Sequence, residues 1–312
     1  MMTGIRRRGT LKLLSRYAVV LLLSLFGGCV SDTPPAPAGN SITESAALPA
    51  GLDPEIPAAE SLTVSSEHRA WAAEHRRERE REIGKLQKSN RRSNYSGDAV
   101  FANFREIRGG TIPAAAVYRS CHPAAADARA PYAARLAEQA RIAAVINLSD
   151  TREELEAKAA FIPWYQKFIT KNSIIPLGMG LDYTDPEFKA GLRAGLQFML
   201  NHRGPYLIHC NDGTDRTGFV AALLEALAGA GADEIADDYM RSYVNYYHLS
   251  QEEERYRIFS TFITDVLTEL NGGKPLADRS NVKEAAERYL TNEIGLTGAE
   301  LDGLKQRLSG IE

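Results

Sequence analysis

One short loop constrains the fold of this 312-residue chain more than any other segment. Cys210 and Arg216 stand at its two ends, with five residues between them. The apolar run 205–208 before the loop predicts a short buried strand, and the apolar run 219–227 after it predicts a helix. The loop is therefore expected to connect the carboxyl end of a strand to the amino terminus of a helix, as in α/β folds.

This position favours the binding of a phosphate group. The first amides of a helix have no partner within the helix, and the helix dipole leaves partial positive charge at that end. Backbone donors, the dipole and the guanidinium of Arg216 then converge on one point, which suits a phosphate. The same field favours the thiolate form of Cys210, which is the nucleophilic form of a cysteine. The sequence thus predicts a phosphate cradle with a nucleophile at its base.

The loop resembles the signature loop of the cysteine-dependent phosphatases, which include tyrosine, dual-specificity and lipid phosphatases. The resemblance rests on His209, Cys210, Gly213, Arg216, Thr217 and Gly218. It implies that Cys210 attacks phosphorus to form a phosphocysteine, and that Arg216 holds two phosphoryl oxygens with its planar guanidinium. The residues expected to contact substrate are Asn211, Asp212, Gly213, Thr214, Asp215 and Thr217. The alternatives are an inert buried cysteine in a turn and a sulfur transferase, whose cysteine loop differs in size.

Three of these loop residues have more specific expected roles. Gly213 is expected to adopt a backbone conformation that residues with a Cβ avoid, so that its amide can point inward. Thr217 can donate its hydroxyl to the departing thiolate. His209 is expected to support the loop through hydrogen bonds, and the alternative is an ordinary buried histidine.

The leaving oxygen of a phosphate ester needs a proton, and three aspartates are candidates for the general acid. Asp182 lies in a glycine-rich loop without an evident structural role, and we prefer it because dual-specificity phosphatases have a similar layout. Asp185 starts a predicted helix, in which Thr184 and Glu187 have capping-box spacing. Asp215 lies inside the signature loop and resembles the in-loop aspartate of some related phosphatases. Its alternative role is to brace the loop as a hydrogen-bond acceptor.

Further motifs extend the resemblance toward a bacterial group of atypical tyrosine and phosphoinositide phosphatases. They lie at residues 103–110, 117–120, 236–239 and 288–301, in the order found in that group. The resemblance implies a single-domain phosphatase fold of the α/β class in residues 95–312. We expect a central, mostly parallel sheet of about four to five strands, flanked by helices, with extra C-terminal helices.

The first residues of the chain predict export. Residues 1–28 contain five basic side chains and no acidic one, and they include a short apolar stretch. Gly27-Gly28-Cys29 resembles a lipoprotein cleavage box, which implies that 1–28 is a signal peptide and that Cys29 is lipidated. The expected location is outside the bacterial cytoplasm, as a membrane-anchored lipoprotein facing the periplasm or the cell surface. An uncleaved anchor and simple secretion are the alternatives.

Two segments separate this signal from the phosphatase domain. Residues 29–66 are rich in Pro, Ala and Ser and predict a disordered tether. Residues 67–94 are densely charged and predict a solvated helix, either an exposed spacer or an interaction helix. Its acidic and basic residues pair at i,i+3 spacing, at Glu74/Arg77, Glu78/Arg81 and Glu82/Lys85.

Composition excludes several classes of function. The net charge of −3, which becomes more negative once the basic signal is removed, disfavours nucleic-acid binding. Three cysteines exclude a disulfide framework, and the third, Cys121, is expected to be a free thiol or the partner of Cys210 in a reversible disulfide. No metal or other cofactor is expected.

The sequence leaves the substrate open between two classes. Relatives that act on lipids often have Lys where Thr214 stands here, and Asp212 adds a negative charge. Phosphotyrosine in proteins is therefore preferred over a phosphoinositide or inositol polyphosphate. A non-catalytic phosphoryl-binding or envelope interaction protein is the second alternative.

Overall fold

The computed structural model describes residue 74 and residues 77–309, all within the unit Ile56–Glu312. The predicted signal peptide (1–28), the lipidation site at Cys29 and the tether (29–66) lie outside the described residues. None of the helices in the described part of the chain is both long and apolar enough to cross a bilayer.

A five-stranded sheet forms the centre of the domain, in the order β1-β2-β5-β3-β4. Neighbouring strands from β2 to β4 run parallel, and β1 pairs antiparallel with β2 at one edge. Every residue of β2, β3 and β5 is buried, as is typical of parallel strands covered on both faces. The predicted α/β class with a mostly parallel sheet is confirmed. The strands are β1 (Arg105–Glu106), β2 (Val117–Ser120), β3 (Ala144–Asn147), β4 (Ile174–Pro176) and β5 (Tyr206–His209).

Helices cover both faces of the sheet and continue past it toward the carboxyl end. They are α1 (77–83), α2 (Asp98–Phe101), α3 (Ala130–Gln139), α4 (Arg152–Ala159), α5 (Pro163–Thr170), α6 (Pro186–Asn201), α7 (Asp215–Leu227), α8 (Ala232–Tyr247), α9 (Glu254–Leu270), α10 (Arg279–Arg288) and α11 (Gly298–Ser309). A 3₁₀ turn (Arg92–Asn94) and a π-helical turn (Tyr289–Glu293) complete them. The extra C-terminal helices are therefore confirmed, and Thr297 and Glu300 form a capping box at the start of α11.

The register of the sheet brings three strand ends together. Ser120 of β2 and Asn147 of β3 are both paired with His209 of β5. In a parallel sheet the carboxyl ends meet at one edge, where α/β proteins bind their ligands. The loops that follow these three strands therefore lie side by side, and one of them is the Cys210 loop.

Helix α7 fixes the far side of that loop. It begins at Asp215, directly after the loop, and all of its residues from Thr217 to Leu227 are buried. A helix that is apolar on most faces lies inside a domain rather than on its surface. The amino terminus of α7 is thus held by the main core, as the apolar run in the sequence predicted.

The predicted helix over 67–94 is only partly present. Among its described residues, helix α1 ends at residue 83, and residues 86–91 are not helical. Gly84 follows the last helical residue, and glycine is a poor helix former. The segment therefore turns after α1 and continues in an irregular conformation.

Of the two alternatives for this segment, the exposed spacer does not describe residues 77–91. Ile83 and Leu86 pack against the main core, and the side chain of Arg79 is only 12% exposed. Arg255 of α9 forms an ion pair with Glu82 at 3.2 Å. We call residues 77–91 the N-terminal arm, since they lie along the phosphatase domain that was predicted to start at residue 95.

Candidate active site

Cys210 lies at the base of the predicted loop. The residue is 3% exposed, and it directly follows His209, the last residue of β5. Gly213 has a φ of +71°, and a Cβ there would stand 2.2 Å from the carbonyl oxygen of Ser120. The expectation that only glycine fits this position is confirmed.

The carbonyl groups of the loop point backward into the domain. Side chains from three distant segments donate to them, together with one backbone amide. The donors are Asn103 Nδ2 to Asp212 O and Gly213 O (both 3.3 Å), Arg119 Nη2 to Gly213 O (2.8 Å) and Thr214 O (3.2 Å), Tyr246 Oη to Asp212 O (2.8 Å), and the His122 amide to Asn211 O (2.9 Å). Because its carbonyls are held from behind, the loop can present its amides on the opposite side.

Several donors in the loop have no acceptor within residues 77–309. None of the amides of 211–216 donates to another protein atom there. Arg216 Nε and Thr217 Oγ1 are also buried without a hydrogen-bond partner. Buried donors are usually satisfied, so a cluster of unsatisfied donors beside a cysteine indicates an anion-binding site. The other end of the guanidinium is fixed, because Arg216 Nη1 donates to the Met179 carbonyl at 2.7 Å.

His209 is held as a neutral histidine below the loop. Asn147 Nδ2 donates to the Tyr165 hydroxyl at 2.9 Å, so the hydroxyl proton is directed to His209 Nε2 at 2.8 Å. The remaining proton of the ring is then on Nδ1, which lies 3.3 Å from the Cys210 carbonyl oxygen. Burial lowers the pKa of His209 well below its usual value. This arrangement supports the predicted role of His209 in ordering the loop.

A second buried histidine extends this network to the loop after β3. His122 Nδ1 accepts from the amide of Ala124 at 3.0 Å, so Nε2 carries the proton and donates to Asp150 Oδ2 at 2.7 Å. Although burial opposes it, hydrogen bonds from His122 and Lys158 lower the pKa of Asp150. The His122 and His209 rings are 4.7 Å apart. The network therefore ties together the ends of β2, β3 and β5.

Buried charges support the loop from the other side. Asp238 accepts from Arg105 Nε at 2.8 Å and also forms an ion pair with Arg119. Against the effect of burial, the two guanidinium groups lower the pKa of Asp238 to about 2. Burial raises the pKa of nearby Glu225 well above its usual value, and Glu225 Oε2 has no partner among the described residues.

These contacts give a structural role to three of the motifs on which the family resemblance rests. Asn103 and Arg105 come from the first motif, Arg119 from the second and Asp238 from the third. All four converge behind the Cys210 loop, although they are far apart in the sequence. Their roles depend on a three-dimensional arrangement that no local pattern in the chain encodes.

The three candidate acids occupy different environments. Asp185 is the N-cap of α6 and accepts from the Glu187 amide at 2.7 Å, so its structural role is confirmed, whereas Thr184 is not the cap. Asp182 is exposed and accepts from the amide and the hydroxyl of Thr184 at 2.9 and 2.6 Å. The expectation that Asp182 has no structural role is therefore wrong. It lies three residues after Met179, the residue that contacts Arg216.

Asp215 is braced by three donors, although its side chain is 38% exposed. Its Oδ1 accepts from Arg79 Nη2 at 2.6 Å and from the hydroxyls of Tyr239 and Tyr243 at 3.1 and 3.2 Å. The other acidic residue of the loop, Asp212, forms an ion pair with Lys88. Sequence reasoning missed Arg79 and Lys88, because their alternating charges were interpreted as a solvated surface.

The comparison with protein families agrees with this geometry. A family model described as "Tyrosine phosphatase family" matches residues 100–310. The chain belongs to the tyrosine phosphatase family. Its activity class is therefore that of a cysteine-dependent phosphatase, and the matched residues contain the whole Cys210 loop.

The similarity of this tyrosine phosphatase family member to solved structures is more distant. One similar solved structure is the core catalytic domain of the PP-IP phosphatase SIW14 from S. cerevisiae in complex with citrate. It is 19% identical, with a TM-score of 0.33, and the match covers 55% of this chain and 91% of that one. No curated protein matches the chain significantly.

The other cysteine of the described residues is a buried thiol as well. Cys121 follows β2 and packs in a small cluster with Ala102 and Ala133, whereas Cys210 belongs to the main core. Both cysteines are free, and burial raises the pKa of Cys121. Among the described residues, no three His, Cys, Asp or Glu side chains are grouped as a metal site.

Proposed function

We propose that this protein hydrolyses phosphomonoesters through a phosphocysteine intermediate, with phosphotyrosine in proteins as the substrate class. One observation carries the proposal. The buried sulfur of Cys210 lies in a loop whose amides, Arg216 Nε and Thr217 hydroxyl have no acceptor among the described residues. These groups are the donors that a phosphoryl group and a thiolate need.

The mechanism follows from this arrangement. The Cys210 thiolate attacks phosphorus and the phosphorus–oxygen bond to the leaving group breaks, while Asp182 gives its proton to the leaving oxygen. Arg216 and the loop amides hold the phosphoryl oxygens during this transfer. Water then attacks the phosphocysteine, Asp182 takes a proton from that water, and inorganic phosphate and the thiolate are released. Thr217 donates its hydroxyl to the sulfur as it departs.

The burial of Cys210 supports phosphotyrosine as the substrate. Cys210 is almost completely buried, so a substrate must extend its phosphate into the loop, as an aryl phosphate on a tyrosine side chain does. Thr214 supplies no positive charge for a second phosphate.

A second candidate substrate is an inositol polyphosphate or phosphoinositide. The ion pair of Lys88 with Asp212 favours it, because the ammonium offsets the negative charge that argued against a polyphosphorylated substrate. The loop therefore repels additional phosphate groups less than its own sequence suggests.

Turnover measurements test both the chemistry and the substrate. Cys210→Ser should abolish the release of phosphate from a phosphotyrosine peptide, and unchanged turnover would defeat the nucleophile assignment. Parallel kinetics with the peptide, soluble inositol phosphates and phosphoinositide vesicles separate the two substrate classes by their kcat/KM. Tight phosphate binding by a wild-type protein without any turnover would instead support the non-catalytic alternative.

The proposal includes export and lipid anchoring at Cys29, supported by the signal-like sequence of residues 1–28. Metabolic labelling with a fatty-acid analogue in a bacterial host should label the wild-type protein and not the Cys29→Ala variant. The same variant should leave the membrane fraction. Equal labelling of both proteins would exclude Cys29 as the lipidated residue.

A further inference from the structure

Both acidic residues of the Cys210 loop have their cationic partners in the N-terminal arm. Arg79 Nη2 is 2.6 Å from Asp215 Oδ1, and Lys88 forms an ion pair with Asp212. Within residues 77–309, no other lysine or arginine forms an ion pair with either carboxylate. The two cations lie before residue 100, where the match to the family model begins.

The arm is fixed to the domain at several points. The Arg79 guanidinium lies 3.4 Å from the centre of the Phe262 ring and donates to the hydroxyls of Tyr239 and Tyr243 at 2.8 and 3.0 Å. At the other end, the carbonyl oxygen of Ser89 accepts from Arg129. The contacts of Arg79 and Lys88 therefore belong to an ordered segment packed against α8 and α9.

These contacts change the charge of the phosphate-binding loop. Between Cys210 and Thr217 the loop contains two carboxylates, Asp212 and Asp215, and only one fixed cation, Arg216. On its own, this loop would present a net negative charge to a phosphate dianion. The two cations of the arm offset both carboxylates, which leaves the charge of Arg216 to balance the Cys210 thiolate. Since Lys88 is 24% and Asp212 46% exposed, this pair is partly accessible to solvent and to dissolved anions.

We propose that Arg79 and Lys88 are positioning and specificity-determining residues of the phosphatase site, and that they neutralise the two loop carboxylates that would otherwise repel a dianionic phosphoryl group. The inference rests on the proposed function. Arg79 acts through Asp215, whose carboxylate it holds beside Arg216. Lys88 acts through Asp212 and faces the anionic substrate at the loop.

Paired substitutions separate this electrostatic role from a structural one. Lys88→Met should raise the inhibition constant of inorganic phosphate, and the KM of an aryl phosphate, by about tenfold at low salt, with a smaller change in kcat. The rise should shrink in high salt, because salt screens partly exposed charges. Adding Asp212→Asn to Lys88→Met removes the uncompensated carboxylate and should restore phosphate affinity to within about threefold of wild type. A purely structural role of Lys88 predicts no such rescue.

Arg79 is tested in the same way. Arg79→Met should weaken phosphate binding, and Asp215→Asn in the same protein should recover part of the loss. Arg79→Lys, which keeps the charge, should bind phosphate better than Arg79→Met even if the arm is less stable. The matched control is Lys85→Met, because Lys85 is 57% exposed and, among the described residues, forms an ion pair only with Glu82 of the arm itself.

The outcomes distinguish this inference from the proposed function. A wild-type protein without Cys210-dependent turnover would defeat the proposed function. An active wild-type protein whose phosphate affinity is the same in Lys88→Met, or is not restored by Asp212→Asn, would overturn the inference alone.

Discussion

Arg119 donates through Nη2 to the carbonyl oxygen of Gly213 at 2.8 Å, and its side chain has no exposed surface. It also contacts the Thr214 carbonyl oxygen at 3.2 Å, the Ser242 hydroxyl at 3.5 Å and the carboxylate of Asp238. A buried guanidinium is tolerated only when it is paired and hydrogen-bonded, and here the backbone of the signature loop supplies part of that requirement. The stability of the domain and the shape of the loop therefore depend on the same side chain.

Replacing Arg119 with Met should lower the free energy of unfolding by about 3–5 kcal/mol, because Asp238 loses one of its two buried cations. Urea denaturation measures the loss. Arg108→Met is the matched control, since Arg108 is 62% exposed and its ion-pair partner within residues 77–309 is Glu106. This variant should stay within about 0.5 kcal/mol of wild type. A loss below about 1 kcal/mol for Arg119→Met would show that the buried pair matters little.

Gly213→Ala should remove activity while most of the fold remains. The added Cβ would meet the Ser120 carbonyl oxygen at 2.2 Å, so the loop must move, and the φ of +71° adds strain. A displacement of about 1 Å can lower turnover about a hundredfold. Gly298→Ala is the control, because a Cβ there meets no atom of the described part of the chain within 4 Å. Steady-state kcat and circular dichroism of both variants test this, and normal turnover of Gly213→Ala would contradict it.

The sequence predicted the elements that local patterns encode. The strand before Cys210 and helix α7 after it are both marked by buried apolar runs, whereas the mostly parallel sheet was expected from the resemblance to the phosphatases. The special backbone of Gly213 could be predicted because the spacing from Cys210 to Arg216 fixes its place in the loop.

What the sequence could not predict are contacts between distant charges. Arg79 meets Asp215 across 136 positions, and no periodicity in the arm distinguishes this arginine from its exposed neighbours. Alternating charges at helical spacing are common to solvated helices and to helices that pair with a charged site. The cap of α6 shows a smaller ambiguity: Thr184 and Asp185 are both good cap residues, and the backbone selects Asp185.

Glu225 should make the stability of the domain depend on pH. Burial raises its pKa well above the value of about 4.3 expected in the unfolded chain, so the folded state binds the proton more tightly. Its contribution to stability is therefore fully present below about pH 4.3 and is lost as the pH rises through the folded pKa.

Glu225→Gln stays neutral at every pH and should avoid this loss. Urea denaturation from pH 4 upward should show the variant gaining stability relative to wild type, by at most about 1.4 kcal/mol per pH unit. The two proteins should differ least at pH 4. Parallel stability curves for wild type and variant would indicate that Glu225 does not change its protonation on folding.

The general acid can be identified by varying the leaving group. If Asp182 protonates the leaving oxygen, Asp182→Asn should slow the hydrolysis of phenyl phosphate by about 10²–10⁴-fold but slow nitrophenyl phosphate much less, because nitrophenolate departs without a proton. Asp215→Asn should lower both rates by similar factors, since the Asp215 carboxylate accepts from Arg79, Tyr239 and Tyr243 and acts by bracing the loop. Asp185→Asn keeps a good helix cap and should behave like wild type. If instead Asp215→Asn slows phenyl phosphate far more than nitrophenyl phosphate, and Asp182→Asn does not, Asp215 is the general acid. Asp182 then acts in the turn in which it accepts from the Thr184 amide.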